Sequence, residues 1–265
     1  MASKGDSKAS RSTSVSPYRN PRTATRRVLA MVILAGAAPG WLHAAQINSV
    51  DAVLDRYQHA LGGVSAIAKV QSITMRGEID GAGMTAKASF VFLAKPFKTL
   101  IKITRIDGTE VSAGFDGTVS WSIDPKGASI DKDTAPEAVR RDADLQYALH
   151  QPTYFKKLEF AGVTDFEGHP CYWLHGTTHW GKDNSQFYNV QTGLLEGYRF
   201  QVDNASGAVA TVQFQDYKSF GGPLVATKVT SRSGDRWRTF TYTSVSYAPV
   251  ADSVFDLPQA VKALL

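Results

Sequence analysis

Gln71-Ser72-Ile73-Thr74-Met75-Arg76-Gly77-Glu78-Ile79-Asp80, then Gly81-Ala82-Gly83, then Met84-Thr85-Ala86-Lys87-Ala88-Ser89-Phe90-Val91-Phe92-Leu93-Ala94 is the stretch that decides the fold. In its first half Ile73, Met75, Gly77 and Ile79 alternate with Ser72, Thr74, Arg76 and Glu78. In its second half Met84, Ala86, Ala88, Phe90 and Phe92 alternate with Thr85, Lys87, Ser89, Val91 and Leu93. A period of two is the strand period, because successive side chains point to opposite faces of a sheet. The glycines at 81–83 predict a tight reversal between the two runs. The stretch is therefore a long hairpin with one apolar face, and most of the chain after it repeats the pattern.

Upstream, Ile47 to Leu61 reads as a helix. Ser49 can cap it, Ile47, Val50, Val53, Leu54, Tyr57 and Leu61 share one face, and Gly62-Gly63 ends it. Val64 to Val70 gives a further short helical turn. Such a helix before a sheet is expected to lie on the sheet's apolar side. Residues 1–45 read as a secretory signal with a long basic n-region. Met1 to Arg27 is rich in Ser, Thr and Arg, Val28 to Ala38 is a short apolar run, and Leu42-His43-Ala44-Ala45 offers a cleavage site. An uncleaved anchor is the alternative, but Pro39-Gly40 interrupts a run already short for a span. Thr25-Arg26-Arg27 leaves twin-arginine export open.

The charge follows the leader. Of 29 Lys and Arg and 24 Asp and Glu, residues 1–45 hold seven and one, which leaves 22 and 23 for the remainder. The basic balance thus gives no electrostatic footprint for nucleic acid. Cys171 is the single cysteine, so no intramolecular disulfide can form, and its apolar neighbours make it a small buried hydrophobe.

Downstream, strands are expected at 99–106, 109–115 and 118–123, separated by Asp107-Gly108 and Asp116-Gly117 turns, with a polar loop at 124–133. Thr134-Ala135-Pro136-Glu137 fits a capping box, and a helix is expected over 137–150. Its apolar stripe includes Ala138, Leu145, Ala148 and Leu149, while Arg140, Arg141, Asp142 and Asp144 face water. This helix is a candidate lid. Strands resume over 155–163, 171–177, 186–191, 194–202, 208–214, 223–230 and 236–247, with a turn at 204–207, and Val254 to Pro258 reads as a docking segment. The total is about a dozen strands in one domain spanning 46–265.

No motif carries catalysis. Gly176 to Lys182 spells G-x-x-x-x-G-K, but Asp183 follows where Ser or Thr is needed, and a strand follows where a helix is needed. His169, His175 and His179 are close in sequence without an H-E-x-x-H helix, so turn and strand-end histidines compete with a metal site. Cys171 and His175 would stand about 13 Å apart on one strand, too far to act as nucleophile and base. The chain is read as a non-enzyme without a cofactor. Met75, Met84, Phe90, Phe92, Trp121, Phe200 and Phe214 either fill a core or line a cavity. A sheet this wide must curl, and few helices are available to fill the curl.

The order of elements resembles exported bacterial proteins similar to the lipoprotein carrier LolA. The resemblance rests on the Val50 to Gly63 helix, on Lys69 to Gly77, Phe115 to Trp121 and Gln215 to Lys228, and on Val254 to Pro258. It covers nearly all of 46–265. It implies a mainly β fold with a few helices: a large curved antiparallel sheet forming an incomplete β-barrel, with helices plugging the concave side. It implies a periplasmic monomer that binds acyl chains of lipid or lipoprotein and works with inner- and outer-membrane partners. The cavity lining would then be Met75, Met84, Phe90, Phe92, Trp121, Phe200 and Phe214, with Leu145 and Leu149 as lid contacts. An arginine on an early strand would hold the lid, and Arg76 or Arg105 could stand there. Two other readings stay open: a ligand-free protein-interaction or sensor module of the envelope, and an envelope hydrolase or its accessory.

Overall fold

In a computed structural model the residues described are 47–202 and 208–265. The expected signal at 1–45 and the turn at 204–207 lie outside them. The hairpin forms from β1 (Ile73–Gly81) and β2 (Ala88–Lys95). Ile73, Met75, Gly77 and Ile79 stand opposite Ala94, Phe92, Phe90 and Ala88, so the apolar alternation makes one continuous face. The reversal is longer than its glycines suggest. It takes residues 82–87, because the Ala82 N–H bonds to the Trp237 carbonyl instead of continuing the β1–β2 ladder, and Met84 closes a turn onto Gly81.

From β2 the chain meanders through β3 (Lys98–Thr104), β4 (Glu110–Phe115), β5 (Ser120–Asp124) and β6 (Gly127–Ile130). The last of these falls where a polar loop was expected. The Asp124 carboxylate accepts the Lys126 N–H at 2.7 Å to tighten the turn. Trp121 and Ile123 then pair with Ile130 and Ala128. A second meander runs through β7 (Phe155–Phe166), β8 (His169–Thr178), β9 (Asp183–Asn189) and β10 (Leu195–Gln201). It continues through β11 (Val209–Lys218), β12 (Val225–Ser233) and β13 (Arg236–Ser246). Pairing of β1 with β13 joins the meanders into a sheet of 13 strands among the described residues, in the order β6-β5-β4-β3-β2-β1-β13-β12-β11-β10-β9-β8-β7. The edges β6 and β7 do not pair. The fold is therefore mainly β, a curved antiparallel sheet not closed into a barrel.

Helices cover the concave face. In α1 (Val50–Ala60) the Ser49 hydroxyl accepts the Ala52 N–H at 3.2 Å, and Val53, Leu54 and Tyr57 are buried. They pack on Leu174, Tyr188 and Leu195 of the sheet. Arg56 pins the helix by donating from Nη2 to the Val190 and Gln191 carbonyls, each at 2.9 Å. A short α2 (Val64–Ala68) follows.

The helix expected over 137–150 is broken into α3 (Pro136–Asp142), α4 (Tyr147–His150) and a 3-10 turn at Gln151–Tyr154. The capping box does not form: Ala135 is the N-cap and makes no side-chain bond. Asp131 instead accepts the Asp133 and Thr134 N–H groups. Asp144 causes the break. Its carboxylate accepts the Gln146 N–H at 2.9 Å, the Tyr154 hydroxyl at 2.7 Å and a bond shared with His150 Nδ1 at 2.9 Å. A side chain that binds nearby backbone this way competes with helix. Asp144 and Arg141, expected to face water, are turned inward, with side chains 3% and 17% exposed.

The C-terminal segment docks as expected, on the convex face. A 3-10 turn at Asp252–Phe255 and α5 (Gln259–Lys262) place Phe255 and Val261 against Leu100 and Trp121. No helix among the described residues is long and apolar enough to cross a membrane.

Candidate ligand-binding site

Between the concave face and the helical cover lies a hollow of ≈ 400 Å³. One wall is apolar: Ile73 and Met75 from β1, Phe92 from β2, Phe214 from β11, Leu224, and Val229 from β12. These side chains converge because cross-strand register puts them on one face, with Met75 opposite Phe92 and Phe214 opposite Val229. The cover contributes Tyr57 and Leu61 from α1, Ile67 from α2, and Leu145, Tyr147 and Ala148 around α4.

Of the residues singled out from sequence, Met75, Phe92, Phe214 and Leu145 line this hollow. Met84, Phe90, Trp121, Phe200 and Leu149 do not. Met84 is in the hairpin reversal and packs beside Phe90. Phe90 is on the concave face but fully packed, edge-on to Phe240 and Tyr242 at 5.3 and 5.4 Å. Trp121 is on the other face. The register runs Leu93, Leu100, Gly114, Trp121, one step out of phase with Phe92, so Trp121 meets the C-terminal segment. Phe200 stacks at a tilt on Tyr198, 5.7 Å away, past the hollow's edge. Leu149 packs into the core under α1. Arg76 is exposed, beside but opposite in phase to Met75, and Arg105 is exposed at the β3–β4 turn, so neither reaches the cover.

The opposite wall is polar, which the sequence reading missed. Arg141, Asp142, Asp144, Tyr147, Asn184, Gln186 and Tyr198 all reach the hollow. Asn184 and Gln186 stand on the concave face of β9, opposite Phe200 and Tyr198. The signal available was the spacing of Asn184, Gln186 and Tyr188, three polar groups at period two. Gln186 is held by a buried network: Gln151 Nε2 donates to Gln186 Oε1 and to the Tyr188 hydroxyl, and Gln186 Nε2 donates to the Tyr147 hydroxyl at 3.1 Å. Asn184 is 4% exposed and its Oδ1 has no hydrogen-bond partner among the described residues. Arg141 donates from Nε and Nη2 to one Asp142 oxygen at 2.9 and 2.6 Å, and its guanidinium lies over the Trp180 ring, 5.2 Å from the centroid.

Burial raises the phenols of this site. Desolvation pushes Tyr198 and Tyr242 up to about 12, and raises Tyr57 and Tyr147 as well. These hydroxyls remain protonated donors at any physiological pH. A second hollow of ≈ 550 Å³, lined by Lys69 and Lys95, adjoins the first at Val70, Pro223 and Tyr247. Tyr247 forms part of the partition and donates its hydroxyl to the Pro223 carbonyl at 3.1 Å.

The other chemical candidates are accounted for locally. Cys171 is fully buried beside Phe166 and Phe187, and burial pushes its thiol up to about 12, so it packs rather than reacts. His169 Nδ1 meets Glu196, His175 Nδ1 meets Ser185, and the His179 N–H bonds to the Tyr154 carbonyl, so the three histidines go separate ways. No group of three or more metal-ligating side chains occurs among the described residues. Gly176 to Lys182 spans the end of β8 and the turn into β9, and no helix follows.

The chain matches no family model, and no curated protein matches its sequence. Solved structures do match its fold. A LolA superfamily protein from Nitrosomonas europaea is 11% identical, with a TM-score of 0.55 over 79% of this chain and 98% of that one. A DUF1329 family protein from Desulfovibrio piger is 15% identical, with a TM-score of 0.54 over the same shares. A domain from Vibrio parahaemolyticus described as outer membrane lipoprotein-sorting is 11% identical, with a TM-score of 0.53 over 77% and 95%. These are likenesses of fold, and by its open, curved antiparallel sheet with helices across the concave face the protein has the LolA-like fold.

Proposed function

We propose that this protein binds and carries acyl chains of lipid or lipoprotein in the cell envelope, as a periplasmic monomer that acts by reversible burial. The observation that carries the reading is the ≈ 400 Å³ hollow with Met75, Phe92, Phe214 and Val229 along one wall. That volume is in the range of small-ligand sites. Each methylene taken from water is worth about 0.8 kcal/mol, so one long chain supplies on the order of 10 kcal/mol before ordering costs. Met75 suits such a wall, since its unbranched side chain adapts to chains of different shape. Loading would require α1 and the 136–154 strap to part from the sheet, and closing would exclude water. The leader at 1–45 would direct export, and membrane partners would give and receive the cargo. No step in this reading needs a catalytic group.

Native mass spectrometry of the mature protein, purified gently from envelope extract, tests it, with lipid extraction of the same sample. A bound species of lipid mass is expected. A clean apo mass, with no uptake on incubation with phospholipid or acylated peptide, would overturn the reading and leave the interaction module.

A further inference from the structure

The hollow is not the uniformly apolar slot that a bare hydrocarbon chain requires. Arg141 projects into it from the end of α3, 83% of its side chain withdrawn from water. The counter-ion it finds is its own neighbour, Asp142, and adjacent helix residues do not normally face each other. The two partners are unequally placed: the Asp142 side chain is 65% exposed, that of Arg141 only 17%. Releasing Asp142 returns it to water at little cost, whereas Arg141 left alone in the hollow would be a buried unpaired charge. Arg141 also has donors to spare. A guanidinium carries five N–H groups. The bonds to Asp142 use Nε and Nη2, and Nη1 has no acceptor among the described residues. Tyr198, on the β10 wall near Arg141, and Tyr57, under α1, bring phenol hydroxyls to the same hollow, likewise without a protein acceptor among the described residues. A buried cation with a replaceable partner and nearby phenol donors together form a seat for an oxyanion.

We propose that this hollow takes a single-chain amphiphile with an anionic head. The chain lies along Met75, Phe92 and Val229, and the head, a carboxylate or a phosphate, displaces Asp142 from Arg141 and accepts from Tyr198. This rests on the acyl-binding reading and names its ligand class. Because Arg141 belongs to the strap and Tyr198 to the sheet, the head group ties the cover to the sheet, so occupancy closes the site. Planar carboxylate oxygens match the guanidinium fork, which adds orientation to attraction.

The test is displacement of a neutral fluorophore, N-phenyl-1-naphthylamine, from the mature protein by three ligands of equal chain length: palmitic acid, its methyl ester, and palmitoyl lysophosphatidic acid. The acid or the lysophosphatidate is expected to bind at least tenfold tighter than the ester, and whichever of the two leads identifies the head. Arg141→Gln should abolish that preference, so that acid, lysophosphatidate and ester bind within about twofold of one another. Asp142→Asn, which keeps the arginine and the strap, should widen the preference for the anion over the ester several-fold. Equal binding of acid, lysophosphatidate and ester by the unaltered protein would overturn the oxyanion seat, as would a preference that survives Arg141→Gln or ignores Asp142→Asn. Failure of all three ligands, the ester included, would instead overturn acyl binding itself.

Discussion

Gly197 illustrates what single residues do in so wide a sheet. A methyl group at its Cα would stand 2.6 Å from the Phe166 ring and closer still to the Val212 carbonyl. The strand can pass there only without a side chain. Gly197→Ala is therefore expected to cost about 2 kcal/mol by overpacking and to lower Tm by about 4–8 °C in a thermal melt. An unchanged Tm would mean that β10 shifts at no cost to make room for the methyl group. Gly77 is a parallel case: it reads from sequence as one more member of the apolar face, yet its place is set by the Thr241 carbonyl on β13. The alternation in Gln71–Ala94 gave the face of each side chain because that is a local property of a strand. It could not say that Trp121 belongs to the other face, since phase across five strands depends on every register between them. Nor could it place Arg141 inside, because amphipathic reading of 137–150 assumed one unbroken helix.

At the scale of elements, the strap from Pro136 to Tyr154 is where reading and structure part. The residues have helical spacing, but Asp144 offers its carboxylate to the Gln146 N–H, the Tyr154 hydroxyl and His150, and the helix stops at Asp142. A carboxylate 3% exposed with three partners, all within the strap, fixes the strap's own conformation. Asp144→Ala removes the acceptor and leaves the Tyr154 hydroxyl and the Gln146 N–H without it, so a loss of about 2–3 kcal/mol is expected. The loss should be local. Hydrogen exchange should speed up across 136–154 while the amides of β8 and β9 stay protected, because strap opening is a smaller event than unfolding of the sheet. Exchange that accelerates equally in the strap and in β8 would show that the strap is part of the global core and could not open alone to admit a ligand. The helical elements that α1 and α2 supply were more legible: Ser49 caps, Gly62 and Gly63 terminate, and nothing inside competes.

At the scale of the molecule, the hollow is a ring of tyrosines as much as a hydrophobic slot. Tyr57, Tyr147, Tyr198, Tyr217, Tyr242 and Tyr247 all line it, and burial raises every one of their phenols. The sign of the consequence follows from linkage. In the unfolded chain these phenols ionise near 10, whereas Tyr198 and Tyr242 hold their protons up to about 12 in the folded protein. The stability they carry is complete below pH 10 and is lost as pH rises towards the folded values, since the unfolded state then binds fewer protons. Each phenol that ionises only on unfolding contributes a slope of about 1.4 kcal/mol per pH unit, so several together unfold the sheet cooperatively between roughly pH 10 and 12. Absorbance of tyrosinate and far-ultraviolet circular dichroism, followed on one alkaline titration, should show a shared steep transition. A smooth phenol titration centred on 10 with dichroism intact would mean that water already fills the hollow and that the cover does not seal it. A ligand that fills the hollow binds only the folded chain and should move the transition to higher pH, by an amount that grows with the logarithm of its concentration. An amphiphile that coats the folded and the unfolded chain alike should leave the transition where it is, because it gives neither state an advantage.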